Sequence, residues 1–432
     1  MISREVWARL VKDFQEKPIP RLVKRNITID THTNLKRAIT LIGPRRSGKS
    51  SLMFQLINDL MVKGIAKSRI LYINFENDEL IGCEVTDLRE MLGVFYELTP
   101  PNKNEKVFLF LDEIQDIPNW ERFIRTVIDT ENVQVVLSGS SSKLLSKEVG
   151  TSLRGRSLVY HVFPFSFSEF LAAKDFKVEK HLSSSEKARM LNLLRLYLKG
   201  SYPEAVLAED QRDKILKDVL DIVVYKDVIE RFGVKNQRLL RLLLKAIINS
   251  KYFSIHKFFN FIKSLGMKAS KNTLYNYLGY FLDSMVVFTL HKYSYSYKDI
   301  EQTTPKIYLS DSGLLYSNGI DDIGRAMENA IFLEFLRRGL VLDRDLFYFS
   351  DVSSEVDFYF KEGKKSSGLI QVCYDISNFE TKTREVKALL SVSKKLSCSN
   401  LLVITWDYEA EEKIEGKKIK FIPLWKWILD LK

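Results

Sequence analysis

Eight consecutive residues, Gly43-Pro44-Arg45-Arg46-Ser47-Gly48-Lys49-Ser50, fit the pattern G-x-x-x-x-G-K-[ST] without a mismatch. Residues of these types at this spacing cradle phosphate. The two glycines let the backbone curl until its N–H groups converge on phosphate oxygens. Lys49 would reach the β- and γ-phosphates of a nucleotide, and the Ser50 hydroxyl would ligate Mg²⁺. Ser51 completes the run of expected nucleotide contacts.

A second constellation lies downstream. Val107-Phe108-Leu109-Phe110-Leu111 ends in Asp112-Glu113. An apolar run ending in two acids is the Walker B pattern. Asp112 would hold Mg²⁺ and Glu113 would polarise an attacking water. Val133-Gln134-Val135-Val136-Leu137 ends in a run of small polar residues from Ser138 to Ser142. A hydroxyl there, Ser138 or Ser140, would sense the γ-phosphate. Arg156, and after it Arg154, follows at a place suited to an arginine finger, in cis or on a neighbouring subunit, or to a structural ion pair.

These groups need a scaffold. Ala38-Ile39-Thr40-Leu41-Ile42 reads as a buried strand before the glycine loop, and Ser51 to Leu60 as a helix after it. The helix dipole then points its positive end at the phosphates. Arg69 to Glu76 reads as another strand, Val85 to Leu98 and Asn119 to Asp129 as helices. The expected fold class is α/β, a parallel sheet with ligands at its carboxyl edge. Upstream, Glu5 to Phe14 reads as a helix, and Arg21, Lys24 and Arg25 as a solvated basic cluster.

The combination of Gly-Pro-Arg-Arg-Ser-Gly-Lys-Ser, Leu-Asp-Glu-Ile-Gln with Trp120, Ser-Gly-Ser-Ser-Ser, Leu-Arg-Gly-Arg and Pro-Phe-Ser-Phe-Ser-Glu-Phe resembles the AAA+-type P-loop ATPases of the archaeal ATPase group. Later landmarks agree: Gly200-Ser201-Tyr202-Pro203-Glu204, Pro305 to Leu314, Ser354 to Phe358 and Ile370 to Tyr374. The resemblance covers almost the whole chain, and relatives often carry Gly-Gly at Gly200-Ser201. It implies five parts: a lead-in over 1–37, a P-loop core over 38–180, a helical lid over 181–234, a winged helix over 235–315 and a domain related to PD-(D/E)xK nucleases over 316–432. It also implies ATP and Mg²⁺ as cofactors.

Residues 235–310 hold twelve Lys and Arg against three Asp and Glu, most of the +11 excess of the chain. Ser270 is a suitable N-cap for a helix whose Leu274, Tyr277, Leu278, Phe281 and Leu282 form an inward stripe. That leaves Lys268, Lys271, Asn272, Tyr275 and Asn276 outward, a set suited to a DNA major groove. Val286 to Tyr297 reads as the wing. In the last part, a helix over Arg325 to Arg338, three strands, a helix over Thr383 to Leu396 and a further strand follow the restriction-endonuclease-like order. Glu328 and Asp357 match two acids of such a site. Gln371 and Cys373 stand where an active nuclease has Glu and Lys, so metal binding should weaken and catalysis should be largely lost. Glu355 offers partial compensation.

The rest of the composition excludes more than it assigns. Three scattered cysteines and five histidines form no zinc pattern. There is no signal peptide and no apolar run of 18 residues, so a reducing cytoplasm is expected and a membrane partner is not. The expectation is an ATPase that remodels or moves on DNA as a homo-oligomer. The rivals are a nucleotide switch for protein partners and an ATP-dependent nuclease.

Overall fold

The chain's apolar runs become strands that are buried along most of their length. These are β1 (Ala38–Ile42), β2 (Ile70–Asn74), β3 (Val107–Asp112) and β4 (Val133–Gly139), with β5 (Ser157–His161) at one edge. The computed structural model describes residues 1–31, 35–100, 105–139, 155–179, 181–363 and 365–431. The strand order is β2-β3-β4-β1-β5, and every pairing is parallel. Parallel strands need both faces covered. Helices α1 (Arg4–Glu16), α3 (Asp87–Leu98) and α4 (Trp120–Thr130) bring Trp7, Phe95 and Trp120 onto the face of Leu109 and Leu111. Helix α2 (Lys49–Val62) brings Leu52, Met53 and Ile57 onto the face of Phe108 and Phe110. This unit spans Met1–Phe163.

The second unit, Pro164–Lys432, begins with helices, among them α5 (Ser184–Leu198) and α6 (Arg212–Ile222). The latter runs on as a π-helix over Val223–Glu230. Helices α7 (Gln237–Asn249), α8 (Ile255–Ser264) and α9 (Lys271–Asp283) then share a core with β6 (Val287–Leu290) and β7 (Lys306–Leu309). Those two strands pair antiparallel. The expected wing over Val286 to Tyr297 is therefore corrected. After Leu290 the chain leaves the hairpin, and Tyr293 donates its N–H to the Tyr348 carbonyl at 2.7 Å. The second strand of the hairpin is supplied by 306–309.

A six-stranded sheet completes this unit. Its order is β12-β13-β11-β10-β9-β8, from β8 (Leu346–Ser350), β9 (Glu355–Glu362), β10 (Lys365–Cys373), β11 (Leu401–Thr405), β12 (Ala410–Ile414) and β13 (Lys417–Pro423). Helix α10 (Ile323–Arg337) precedes it and α11 (Phe379–Lys395) connects β10 to β11 in parallel.

Two of the sequence landmarks turn out to be halves of one brace. The buried Asp311 carboxylate accepts from the Ser201 N–H and hydroxyl, both at 2.6 Å, and from the Gly313 N–H. Tyr202 and Ser310 share a hydroxyl contact of 2.9 Å. A Cβ on Gly313 would lie 2.6 Å from the Gly200 Cα and from the Lys199 carbonyl, so only glycine fits this crossing. The serine at 201 adds a hydroxyl bond to Asp311 that a glycine lacks.

Candidate functional site

The loop between β1 and α2 is a strained, preformed concavity. Arg46 and Gly48 both have positive φ, +62° and +96°. A Cβ on Gly43 would lie 2.0 Å from the Val162 carbonyl oxygen, so the loop's entry is pressed against the chain leaving β5. The Lys49 ammonium donates to the Gly43 and Pro44 carbonyls at 3.2 Å each, so it lies folded over the loop. Ser47 Oγ is buried with no hydrogen-bond partner among the described residues. A positive helix end, an arched loop and an orphaned hydroxyl together fit a phosphate anion. Pro44 is buried, Ser50 and Ser51 are half-buried, and Arg45 reaches Glu76 at 2.7 Å.

The acids arrive from β3. Asp112 Oδ2 accepts from the Tyr72 hydroxyl at 2.8 Å and Oδ1 from the Ser138 hydroxyl, and Ser50 also bonds to it. Burial pushes the Asp112 carboxyl above its usual range, against these three hydroxyl donors. Glu113 is left-handed at φ +55°, a strained conformation for a residue with a Cβ. That turn aims its carboxylate back at the loop, 3.8 Å from Lys49 Nζ, and Gln115 holds the other oxygen at 2.6 Å. Ser138 also accepts from the Glu113 N–H at 3.1 Å. Of the two hydroxyls expected near the phosphates, Ser138 is therefore in contact with the acids. Ser140 and Arg154 lie outside the described residues.

In the second unit, Ser270 caps α9 and accepts from the Thr273 N–H at 3.0 Å. Leu274, Tyr277 and Phe281 face the core, and Lys268, Lys271, Asn272, Tyr275 and Asn276 are all exposed. The basic excess around α9 is smaller than the sequence count. Lys306 is 1% exposed and bonds to Asp357 at 2.7 Å and Glu328 at 2.9 Å. Lys251 reaches Glu328 at 3.1 Å.

Gln371 does sit with Asp357, accepting its N–H at 3.2 Å, and it donates to Glu385. The carboxylate of Asp357 also accepts from the Val372 N–H at 3.0 Å. Cys373 is buried in the apolar core with Leu369 and Leu389, and burial pushes its thiol up to about 11.

Residues 35–171 match the family described as an AAA domain, and residues 190–322 match a domain of unknown function, DUF8612. An uncharacterized protein of Methanocaldococcus jannaschii, MJ1544, is 40% identical over 422 residues, 95% of this chain and 91% of that protein. The chain belongs to that protein's family, and its residues 35–171 carry the AAA domain. An uncharacterized protein of Haemophilus influenzae is 28% identical over 98% of both chains. Among solved structures, the Aeropyrum pernix Orc1 protein in complex with DNA aligns at 15% identity and a TM-score of 0.30, over 74% of this chain and 93% of that one. Cdc6p of Pyrobaculum aerophilum aligns at 14% and 0.28, over 76% and 94%.

One expectation for the first unit needs correction. Arg25, expected on a solvated face, is 4% exposed. Its guanidinium donates to the Ser47 carbonyl at 2.9 Å and the Phe163 carbonyl at 2.7 Å, while its backbone exchanges hydrogen bonds with the Gln55 amide. It braces the loop from behind. Arg156 precedes β5, and the parallel register sets Ala38 beside Ser157. That is the amino edge of the sheet, about 16 Å from the loop at roughly 3.3 Å per residue. There Arg156 pairs with Asp129 at 2.7 Å. Of the roles expected for Arg156, the ion pair is the one present here.

Tyr72 and Gln115 were missed. Tyr72 gave one signal, a hydroxyl in the middle of an apolar strand, which needs a buried partner.

Proposed function

We propose that the chain is a Mg²⁺-dependent ATP hydrolase whose second unit contacts DNA. The observation that carries the hydrolase reading is the meeting of Lys49, Asp112, Glu113 and Ser138 at one edge of a parallel sheet, with an orphaned Ser47 hydroxyl in the loop between them. Residues 43–51 would hold the triphosphate. Ser50 and Asp112 would hold Mg²⁺, which neutralises phosphate charge when bound. Glu113 is oriented by Gln115 and by its own strained turn to take a proton from water. Lys49 would exchange its carbonyl partners for phosphate oxygens.

The DNA reading is supported by the exposed Lys268, Lys271, Asn272, Tyr275 and Asn276 at the amino half of α9. A helix end carrying that set fits a major groove, with the lysines on phosphates. The 316–432 region reads as a nuclease-like fold without cleavage. Gln371 supplies a neutral oxygen in place of a carboxylate, and Cys373 is packed away as an apolar group. Arg156 would act on a neighbouring subunit's nucleotide, which implies a homo-oligomer.

Steady-state ATP hydrolysis with and without duplex DNA tests this, with Lys49→Ala as the blank. Turnover should fall at least ~100-fold in the blank. DNA should stimulate the wild type, and neutralising Lys268 and Lys271 should remove the stimulation. It should also lower the salt slope of DNA binding by about 2, at about 0.9 per phosphate contact. Turnover indifferent to DNA, with no binding by α9, would favour a nucleotide switch for protein partners.

A further inference from the structure

The carboxylate cluster of the second unit already holds a cation of its own. Four stretches of chain meet there: Lys251-Tyr252 before α8, Lys306 and Tyr308 on β7, Glu328 on α10, and Glu355 and Asp357 on β9. The Lys306 ammonium lies 2.7 Å from Asp357 Oδ1, 2.9 Å from Glu328 Oε1 and 3.2 Å from Glu355 Oε1. Three carboxylates thus converge on one nitrogen that has three hydrogens to give. Rings close the remaining space, with the centroids of Tyr252 and Tyr348 at 5.8 and 5.6 Å. Two of these oxygens take a further donor: Glu328 Oε1 accepts from the Tyr308 hydroxyl at 2.7 Å, and Glu355 Oε1 accepts from the Tyr252 hydroxyl. Glu328 Oε2 faces Lys251 at 3.1 Å, and Asp357 Oδ2 accepts from the Val372 N–H at 3.0 Å.

We propose that Lys306 is a resident cation occupying the position a divalent ion would take, so the cluster is closed to metal and works as a lock joining α8, β6 and β7 to the C-terminal sheet. This stands on the cluster's geometry and does not depend on the ATPase or DNA reading. Three features argue for it. A magnesium ion needs its oxygens at about 2.0–2.1 Å. The same oxygens cannot hold that ion and an ammonium at their common centre. Second, Lys306 cannot swing aside as a flexible surface lysine does. Its backbone is fixed in β7, and Ile307 donates to the Lys251 carbonyl at 2.9 Å, which also sets Lys251 beside it. Third, with 1% of its side chain exposed, Lys306 has no water to move into. An ammonium displaced there would be an unpaired buried charge.

The cluster faces a cavity of 1370 Å³ that Glu328, Glu355, Asp357, Gln371 and Lys251 help to line. Lys251, 45% exposed, stands as a second positive charge beside the carboxylates. A cation approaching the carboxylates therefore meets two ammoniums.

Mn²⁺ binding to the nucleotide-free full-length protein, followed by electron paramagnetic resonance, tests the proposal. The variants are Asp357→Asn, Lys306→Gln and the double variant. Wild type and Asp357→Asn should bind the same number of Mn²⁺ ions. Lys306→Gln should gain one site, at least tenfold tighter than anything at the cluster in wild type, and the double variant should lose it. The Lys306→Gln melting temperature should lie below wild type and rise with Mn²⁺, whereas that of wild type should not move. A wild-type site lost on Asp357→Asn would overturn the proposal, because the ammonium would then yield to metal. A folded Lys306→Gln with no new site would overturn it as well. If Lys306→Gln does not fold even with Mn²⁺, the wild-type comparison alone decides.

Discussion

Asp112 places a carboxyl where a charge is costly. It is 0% exposed, and burial raises its pKa although three hydroxyls donate to it. A carboxyl whose pKa rises on folding binds its proton more tightly in the native state. Stability from this group is therefore greatest at acid pH and falls as pH rises through the raised value. Above that raised value the full cost is present. Asp112→Asn should thus abolish ATP hydrolysis and at the same time raise the melting temperature of the nucleotide-free protein at pH 7. The gain should shrink toward pH 5. Thermal melts of both proteins across that range check it, and a lower melting temperature for the variant at pH 7 would show that the hydroxyl network, not burial, governs this carboxylate. Asp357 is the converse case. Burial works against it, but the ammoniums of Lys306 and Lys251 outweigh burial and hold it below its usual range. Its contribution is present above the ordinary carboxylate range and is lost as pH falls through the depressed value.

At the scale of elements, the brace between Gly200-Ser201 and Asp311-Gly313 ties the end of α5 to the segment after β7. Gly313→Ala puts a methyl 2.6 Å from two backbone atoms that cannot rotate away. Overpacking of this kind costs about 3 kcal/mol. Urea unfolding should show the second unit's midpoint lowered accordingly, and a change below about 0.5 kcal/mol would mean that the crossing relaxes. The elements also explain what was readable in advance. Strands β1 to β4 were legible because parallel strands buried on both faces leave continuous apolar runs. Strand β5 was not, because it is an edge strand with Val159 and His161 exposed. Strands β12 and β13 were hidden by their charges, which pair across the hairpin as Glu411 with Lys418 at 2.7 Å. The nucleotide site was legible from local spacing. The ion cluster was not, since Lys306 meets carboxylates 22 and 51 residues away, and nothing in a basic stretch marks one lysine as buried. The same blindness inflated the positive charge assigned to the surface around α9.

For the whole molecule, the position of Arg156 decides what an active particle must be. The amino edge of the sheet cannot reach the loop at the carboxyl edge of the same sheet. If Arg156 contributes to hydrolysis, it does so on another copy, and each site is then built from two chains. Lys49→Ala and Arg156→Ala should each be inactive alone for different reasons: the first lacks a phosphate contact, the second lacks the group it lends. Mixed, they form interfaces in which an intact loop meets an intact arginine. In a random equimolar mixture about a quarter of the interfaces are of that kind, so roughly a quarter of wild-type turnover should return. Recovery should follow protein concentration, because it requires assembly. Arg156→Ala with near wild-type turnover would reduce Arg156 to the partner of Asp129. Two inactive variants that never complement would place its effect inside its own subunit, through the edge of the sheet that the Asp129 pair holds in place.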